Sequence, residues 1–137
     1  MSDYDRLEEL SETDCLALLR TVPVGRVAVS VDALPVILPV NFVLDGTEVL
    51  FRTVPGTKLQ AAVARVVVAF EADDYDTGSG EGWSVLVRGV AGEITDPGRR
   101  SEANRLVPRS WALGEGTDHL VGIPITVITG RRLRATC

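Results

Sequence analysis

Two hydrophobic periods divide this chain, and the switches between them mark its elements. Val27, Val29 and Val31 alternate with smaller residues over 24–31, the period-two pattern of a strand with one buried face. Asp32-Ala33-Leu34 reads as a turn. Pro35 to Leu44 then predicts a second strand, with Pro39 inside it. Asp45-Gly46 is a hairpin signal, and Thr47 to Thr53 returns as a third strand. Val66 to Phe70 is a short continuous apolar run, read as a strand buried on both faces. Trp83 to Ile94 predicts a long strand whose Gly89 and Gly92 mark bulges or close backbone approach. Asp118 to Leu133 predicts a closing strand interrupted at Pro124.

Helical signals are fewer. Ser11 with Asp14 three residues on resembles a capping box ahead of Cys15-Leu16-Ala17-Leu18-Leu19. It predicts a helix over 12–20, ended by Thr21-Val22-Pro23. A second helix is expected over 57–65, with Leu59, Ala62 and Val63 inward. A third opens at Asp96-Pro97, an N-cap followed by proline at the first helical position, and runs to about Leu106. Residues 1–10 read as a polar lead-in, Glu71 to Gly82 as a loose acidic loop, and Pro108 to Thr117 as a loop carrying Trp111. The sum is a mainly β protein: about six strands with long hairpins and two or three short helices filling gaps, in one domain over 1–137. Strand–helix alternation and a G-x-G-x-x-G turn are both missing, which argues against a doubly wound sheet.

Composition narrows the partners. With 137 residues, 45% of them hydrophobic, the chain can build one real core. A net charge of −5 argues against a nucleic-acid partner. Apart from Arg99-Arg100 and Arg131-Arg132 the basic residues are scattered, which suits a small anionic ligand. Cys15 and Cys137 give no disulfide framework, and the single histidine, His119, gives no metal-ligand spacing. The acidic start carries no signal-peptide pattern, and no apolar run approaches the roughly 18 residues of a membrane span. The expectation is a cytoplasmic protein with no membrane partner.

Candidate chemistry concentrates in Leu50 to Leu59. An apolar strand ends in Arg52-Thr53, a Pro-Gly turn follows, and Thr57-Lys58 opens a helix. Unpaired N–H groups, a guanidinium, an ammonium and two hydroxyls then come together as a phosphate cradle. An ordinary strand-to-helix connection with solvated charges is the alternative. Pro39 cannot donate to a ladder, so its strand is interrupted, bulged or at an edge there. Asn41 adds a side-chain amide at the same place. The Asp spacing in the acidic loop does not fit a calcium-binding loop.

Taken in order, Gly25-Arg26-Val27-Ala28, Pro39-Val40-Asn41-Phe42, Asp45-Gly46, Phe51-Arg52-Thr53, Gly56-Thr57-Lys58-Leu59, Val68-Ala69-Phe70-Glu71, Gly82-Trp83-Ser84-Val85 and Ile128-Thr129-Gly130-Arg131 resemble the pyridoxamine 5′-phosphate oxidase-like family, the flavin-binding split β-barrels. The resemblance runs from about Leu10 to Leu133 and is closest to short actinobacterial-type members. It implies a six-stranded antiparallel split barrel and a homodimer with FMN between two barrels. It implies that Arg52, Thr53, Thr57 and Lys58 hold the phosphate and that Pro39, Val40, Asn41 and Phe42 line the isoalloxazine. Trp83 and Ser84 would approach the flavin, from either subunit, with Arg131 as a further anion contact. The true oxidase has a longer C-terminal region that grips pyridoxine phosphate, for which this chain shows no equivalent. Related nitroimidazole-resistance proteins use an active-site histidine; His119 reads instead as a strand-end residue, and Trp111 as a packing or dimer residue.

The implied function is an FMN-dependent oxidoreductase of unknown substrate, with no side chain marked as general acid or base. A deazaflavin-dependent reductase of the same fold and a non-enzymatic flavin carrier or sensor are the alternatives. A dimeric scaffold without ligand is a fourth reading.

Overall fold

The structure, a computed structural model, describes residues 7–54, 57–109 and 119–134, without the side chains of Lys58 and Ala62. Trp111 and Cys137 lie outside these residues. Eight strands and three short helices follow in the order β1 (Leu7–Glu9), α1 (Glu12–Leu19), β2 (Val24–Val31), β3 (Leu34–Asp45), β4 (Glu48–Thr53), α2 (Lys58–Ala62), β5 (Val66–Tyr75), β6 (Gly82–Glu93), α3 (Pro97–Leu106), β7 (His119–Pro124) and β8 (Val127–Leu133).

Six strands close on themselves in the order β6-β5-β2-β3-β4-β7, with β7 returning to β6, and every pairing is antiparallel. β8 and β1 extend the sheet beyond β6. This is the expected barrel, with two strands added. The polar lead-in supplies one of them: Leu7–Glu9 pairs with Arg131–Leu133. The expected closing strand is two strands. His119–Pro124 pairs with β4, whereas Val127–Leu133 pairs with β6.

The split in the barrel runs along β3. Leu34 to Asn41 pairs only with β2, and Phe42 to Asp45 only with β4. Pro39 sits in the first part, opposite Arg26, in an unbroken register. Of the three outcomes its sequence left open, the edge is realised. The missing N–H faces the side where no strand pairs among the described residues.

Inward positions carry the core. Val27 and Val29 of β2, Val68, Phe70 and Ala72 of β5, and Val85 and Val87 of β6 are buried, alternating with exposed partners. Phe42 meets Phe70 edge-on with ring centroids 4.7 Å apart. A Cβ on Gly25 would lie 2.3 Å from the Phe70 ring, so only glycine lets that ring fill the barrel. Gly89 meets the expectation of close approach: a Cβ there would lie 2.2 Å from the Pro124 carbonyl oxygen. The acidic stretch after Phe70 is not a loose loop. β5 continues to Tyr75 because Ala72 still points into the core while Glu71 and Asp73 face outward.

Three caps set the helices. The Ser11 hydroxyl accepts from Asp14 N, Thr57 from Gln60 N and Asp96 from Arg99 N. α2 stops at Ala62, with Val63 as its C-cap, short of the expected Arg65, which takes a left-handed φ of 54°. α3 covers a smaller apolar cluster of Leu50, Ile94, Ala103, Val107 and Leu120.

Candidate functional site

β3 changes partner from β2 to β4 after Asn41, and a cleft of about 250 Å³ lies there. Its lining comprises Pro39, Val40, Asn41, Arg52, Thr53, Val54, Thr57, Leu59 and Pro108. Six of the residues singled out in the sequence therefore share one cavity: Pro39, Val40 and Asn41 from β3, Arg52 and Thr53 from the end of β4, and Thr57 from the cap of α2. Lys58 opens α2 beside them, its side chain outside the description.

The polar groups differ in how they are engaged. Arg52 is 8% exposed. Its Nη2 donates to the carbonyls of Asn104 at 3.0 Å and Val107 at 2.8 Å. Those carbonyls lie at the C-terminal end of α3, where helix geometry leaves acceptors unpaired and the dipole favours a cation. Arg52 thus ties α3 to β4 while bringing positive charge to the cleft wall. Thr57 is occupied locally: its hydroxyl donates to the Val54 carbonyl at 2.7 Å and accepts from Gln60 N at 3.2 Å. Thr53 is different. It is 2% exposed, and its hydroxyl is buried with no partner. Such a group is costly to bury unless something else satisfies it.

Thr53 also borders a smaller cavity of about 40 Å³ shared with Gln60, Val63, Glu93, His119 and Val121. His119 is the ladder partner of Thr53, and its Nδ1 lies 2.5 Å from Glu93 Oε1. The lone histidine is therefore a strand-end residue beside Glu93, behind the cleft, and is absent from the cleft lining.

The other expected residues lie elsewhere. The Phe42 ring is in the core, 4% exposed, not in the cleft lining. Its position follows from strand alternation: Asn41 faces out, so Phe42 faces in. Trp83, Ser84 and Arg131 line a separate groove of about 210 Å³ with Leu7, Asp73 and Leu133. Three ladders, β3–β2, β2–β5 and β5–β6, separate this groove from Asn41. The wall residues Leu59, Val54 and Pro108 carried no chemical signal in the sequence.

The family model described as pyridoxamine 5′-phosphate oxidase matches residues 11–132. The uncharacterized protein Rv0080 of Mycobacterium tuberculosis is 39% identical over 132 residues, 93% of this chain and 86% of that one. The solved structure of the FAD binding protein from Mycobacterium smegmatis is similar at TM-score 0.80 and 43% identity, covering 92% of this chain and 97% of its own. The structure of the conserved protein DIP1874 from Corynebacterium diphtheriae is similar at TM-score 0.79 and 31% identity, covering 94% and 99%.

Proposed function

The chain belongs to the pyridoxamine 5′-phosphate oxidase family, and on that premise we propose that it binds a flavin nucleotide by its phosphate in the cleft beside Thr53 and acts as a flavin-dependent oxidoreductase. The observation that carries this reading is the buried, unpartnered Thr53 hydroxyl next to the Arg52 charge. A phosphate oxygen supplies the missing acceptor, and the guanidinium offsets its charge. Arg52 and Thr53 would hold the phosphate end, with Lys58 at the helix start and Thr57 as its cap, the Thr57 hydroxyl proton being taken by the Val54 carbonyl. Pro39, Val40 and Asn41 would wall the ring. The flavin, when bound, supplies the hydride and electron chemistry. The chain's residues bind it, orient it and exclude water from one side.

The nucleotide can be FMN, as the sequence suggested, or FAD, which the Mycobacterium smegmatis relative binds by its description. A cleft of about 250 Å³ is below the roughly 300–1,000 Å³ of sites that enclose a drug-sized ligand. It holds part of a flavin and leaves the rest to a second wall. We therefore propose a homodimer in which the groove of Trp83, Ser84 and Arg131 on one copy faces the Pro39–Asn41 cleft of the other.

Absorption titration of the purified protein with riboflavin, FMN, FAD and the deazaflavin cofactor in parallel tests the proposal. FMN or FAD is expected to bind with a shifted flavin band near roughly 450 nm, and riboflavin at least tenfold more weakly because phosphate contacts are charge-assisted. Equal affinity for riboflavin would remove the phosphate site. Binding of the deazaflavin alone would move the protein to that cofactor. Binding of none would leave a scaffold.

A further inference from the structure

The outer face of β2, β3, β5, β6 and β8 is apolar for a sheet that the described residues leave uncovered. Ile37 is 67% exposed and Val67 73%, and Val24, Leu86, Val90 and Val127 are exposed on the same side. Pro35, Pro39, Ala28 and Ala69 fill the rows between them. Monomeric proteins rarely leave so continuous an apolar patch open. Its two margins carry the Pro39–Asn41 cleft and the Ser84–Arg131 groove. A second copy is the occupant that completes both.

One charged cluster interrupts this face. Arg26 Nη1 lies 3.2 Å from Glu71 Oε1 and 3.2 Å from Asp73 Oδ2. A single guanidinium nitrogen thus serves two carboxylates, and one negative charge is left over. Among the described residues, the ion pairs of Glu71 and Asp73 both run to Arg26. β3 presents Pro39 and Asn41, and β6 presents Leu86 and Ser84, the ladder partners of Glu71 and Asp73. The other charged residues on the face, among those described, are Arg88, paired with Ala69, Arg131, paired with Ser84 and lining one groove with Asp73, and Glu9, paired with Arg131. Desolvation, helped by the hydrogen bond and charge of Asp73 and opposed by Arg26, pushes the Glu71 carboxyl up to about 7.

We infer that association of two copies through this face takes up a proton at the Glu71–Asp73 carboxyl pair, so that the dimer strengthens as pH falls. The inference rests on the dimer reading above and adds its regulation. A two-fold interface uses the same face of both copies. It removes water from a carboxyl pair that already shares one cation, and desolvation favours the neutral form. By linkage, each proton bound on association makes log Kd rise by up to one per pH unit where Glu71 is ionised in the free chain and neutral in the dimer.

Sedimentation equilibrium of the purified protein from pH 5.5 to 8.5 tests this, with and without added FMN or FAD. The dimer Kd is expected to rise at least about tenfold between pH 6 and pH 8. Glu71→Gln is expected to hold the dimer tight and flatten the dependence, whereas His119→Gln leaves it intact. A dimer whose Kd does not change with pH would overturn the inference and keep the dimer. A Kd that falls with rising pH would mean that Glu71 meets a cation of the second copy, which also overturns it. A chain that stays monomeric at every pH would sink the dimer reading itself.

Discussion

Thr53 and Val have nearly the same shape, so Thr53→Val isolates one hydroxyl. That hydroxyl is buried and without a partner in the free chain, so its removal is expected to leave stability unchanged or raise it by about 1 kcal/mol. The same change is expected to weaken FMN or FAD binding about tenfold, since a hydrogen bond to a charged group contributes roughly 1.5–3 kcal/mol. Urea unfolding and flavin titration on one variant read the two effects separately. A variant that loses stability but keeps its affinity would assign Thr53 to the fold alone. Ala33 makes a second test at this scale. With Asp32 it turns β2 into β3 at φ values of 52° and 66°. A side chain there is strained, and glycine is not. Ala33→Gly is expected to raise stability by about 0.5–1 kcal/mol by urea unfolding, because relief of the αL strain exceeds the added freedom of the unfolded chain.

Elements show what the sequence could and could not display. Two caps were legible because their chemistry is local: Ser11 and Asp96 each reach a donor three residues on, whereas Thr57, read as the first helical residue, is the cap of α2. The split of β7 from β8 was not. Leu120 to Leu133 is a run rich in apolar residues interrupted at Pro124, and nothing within it records that its halves join β4 and β6. The end of β5 was hidden for the same reason, since Glu71 and Asp73 face outward and pair with Arg26 of β2, a residue far along the chain. In the site, the charge of Arg52 was visible, but its partners Asn104 and Val107 lie too far along the chain for any local pattern. The clamp on α3 is equally nonlocal. Arg99 binds Asp45 at 2.7 Å and Glu48 closely, joining the helix start to the β3–β4 hairpin. The Glu48 carboxylate lies over Gly122 of β7, where a Cβ would come within 2.6 Å. Both acids hold the Arg99 proton more tightly than usual, Glu48 most. Arg99→Met is expected to cost about 2 kcal/mol, because two partly buried carboxylates lose a charge-assisted donor. Arg99→Lys should recover less than half, since an ammonium cannot fork between them. Equal stability of all three proteins in urea would mean that solvent satisfies the hairpin acids.

At the scale of the molecule, the question is why one chain carries two partial sites. The Pro39–Asn41 cleft and the Trp83–Ser84–Arg131 groove flank one apolar face and share no lining residue. Family resemblance assigned both to one flavin, and a single barrel does not bring them together. A two-fold pairing of the face about an axis along the strands would, because each margin would then meet the opposite margin of the other copy. Ile37→Asp and Val67→Asp place a charge at the two most exposed aliphatic positions of that face, so the fold should tolerate them: circular dichroism and the urea midpoint are expected to stay close to wild type. Dimerisation is expected to fail, since an unpaired carboxylate would have to be desolvated. If the flavin lies between the copies, affinity for FMN or FAD falls in parallel, by at least about tenfold, and recovers at protein concentrations that restore the dimer. A monomeric variant that binds flavin as tightly as wild type would show that the 250 Å³ cleft suffices and that Trp83, Ser84 and Arg131 serve another purpose.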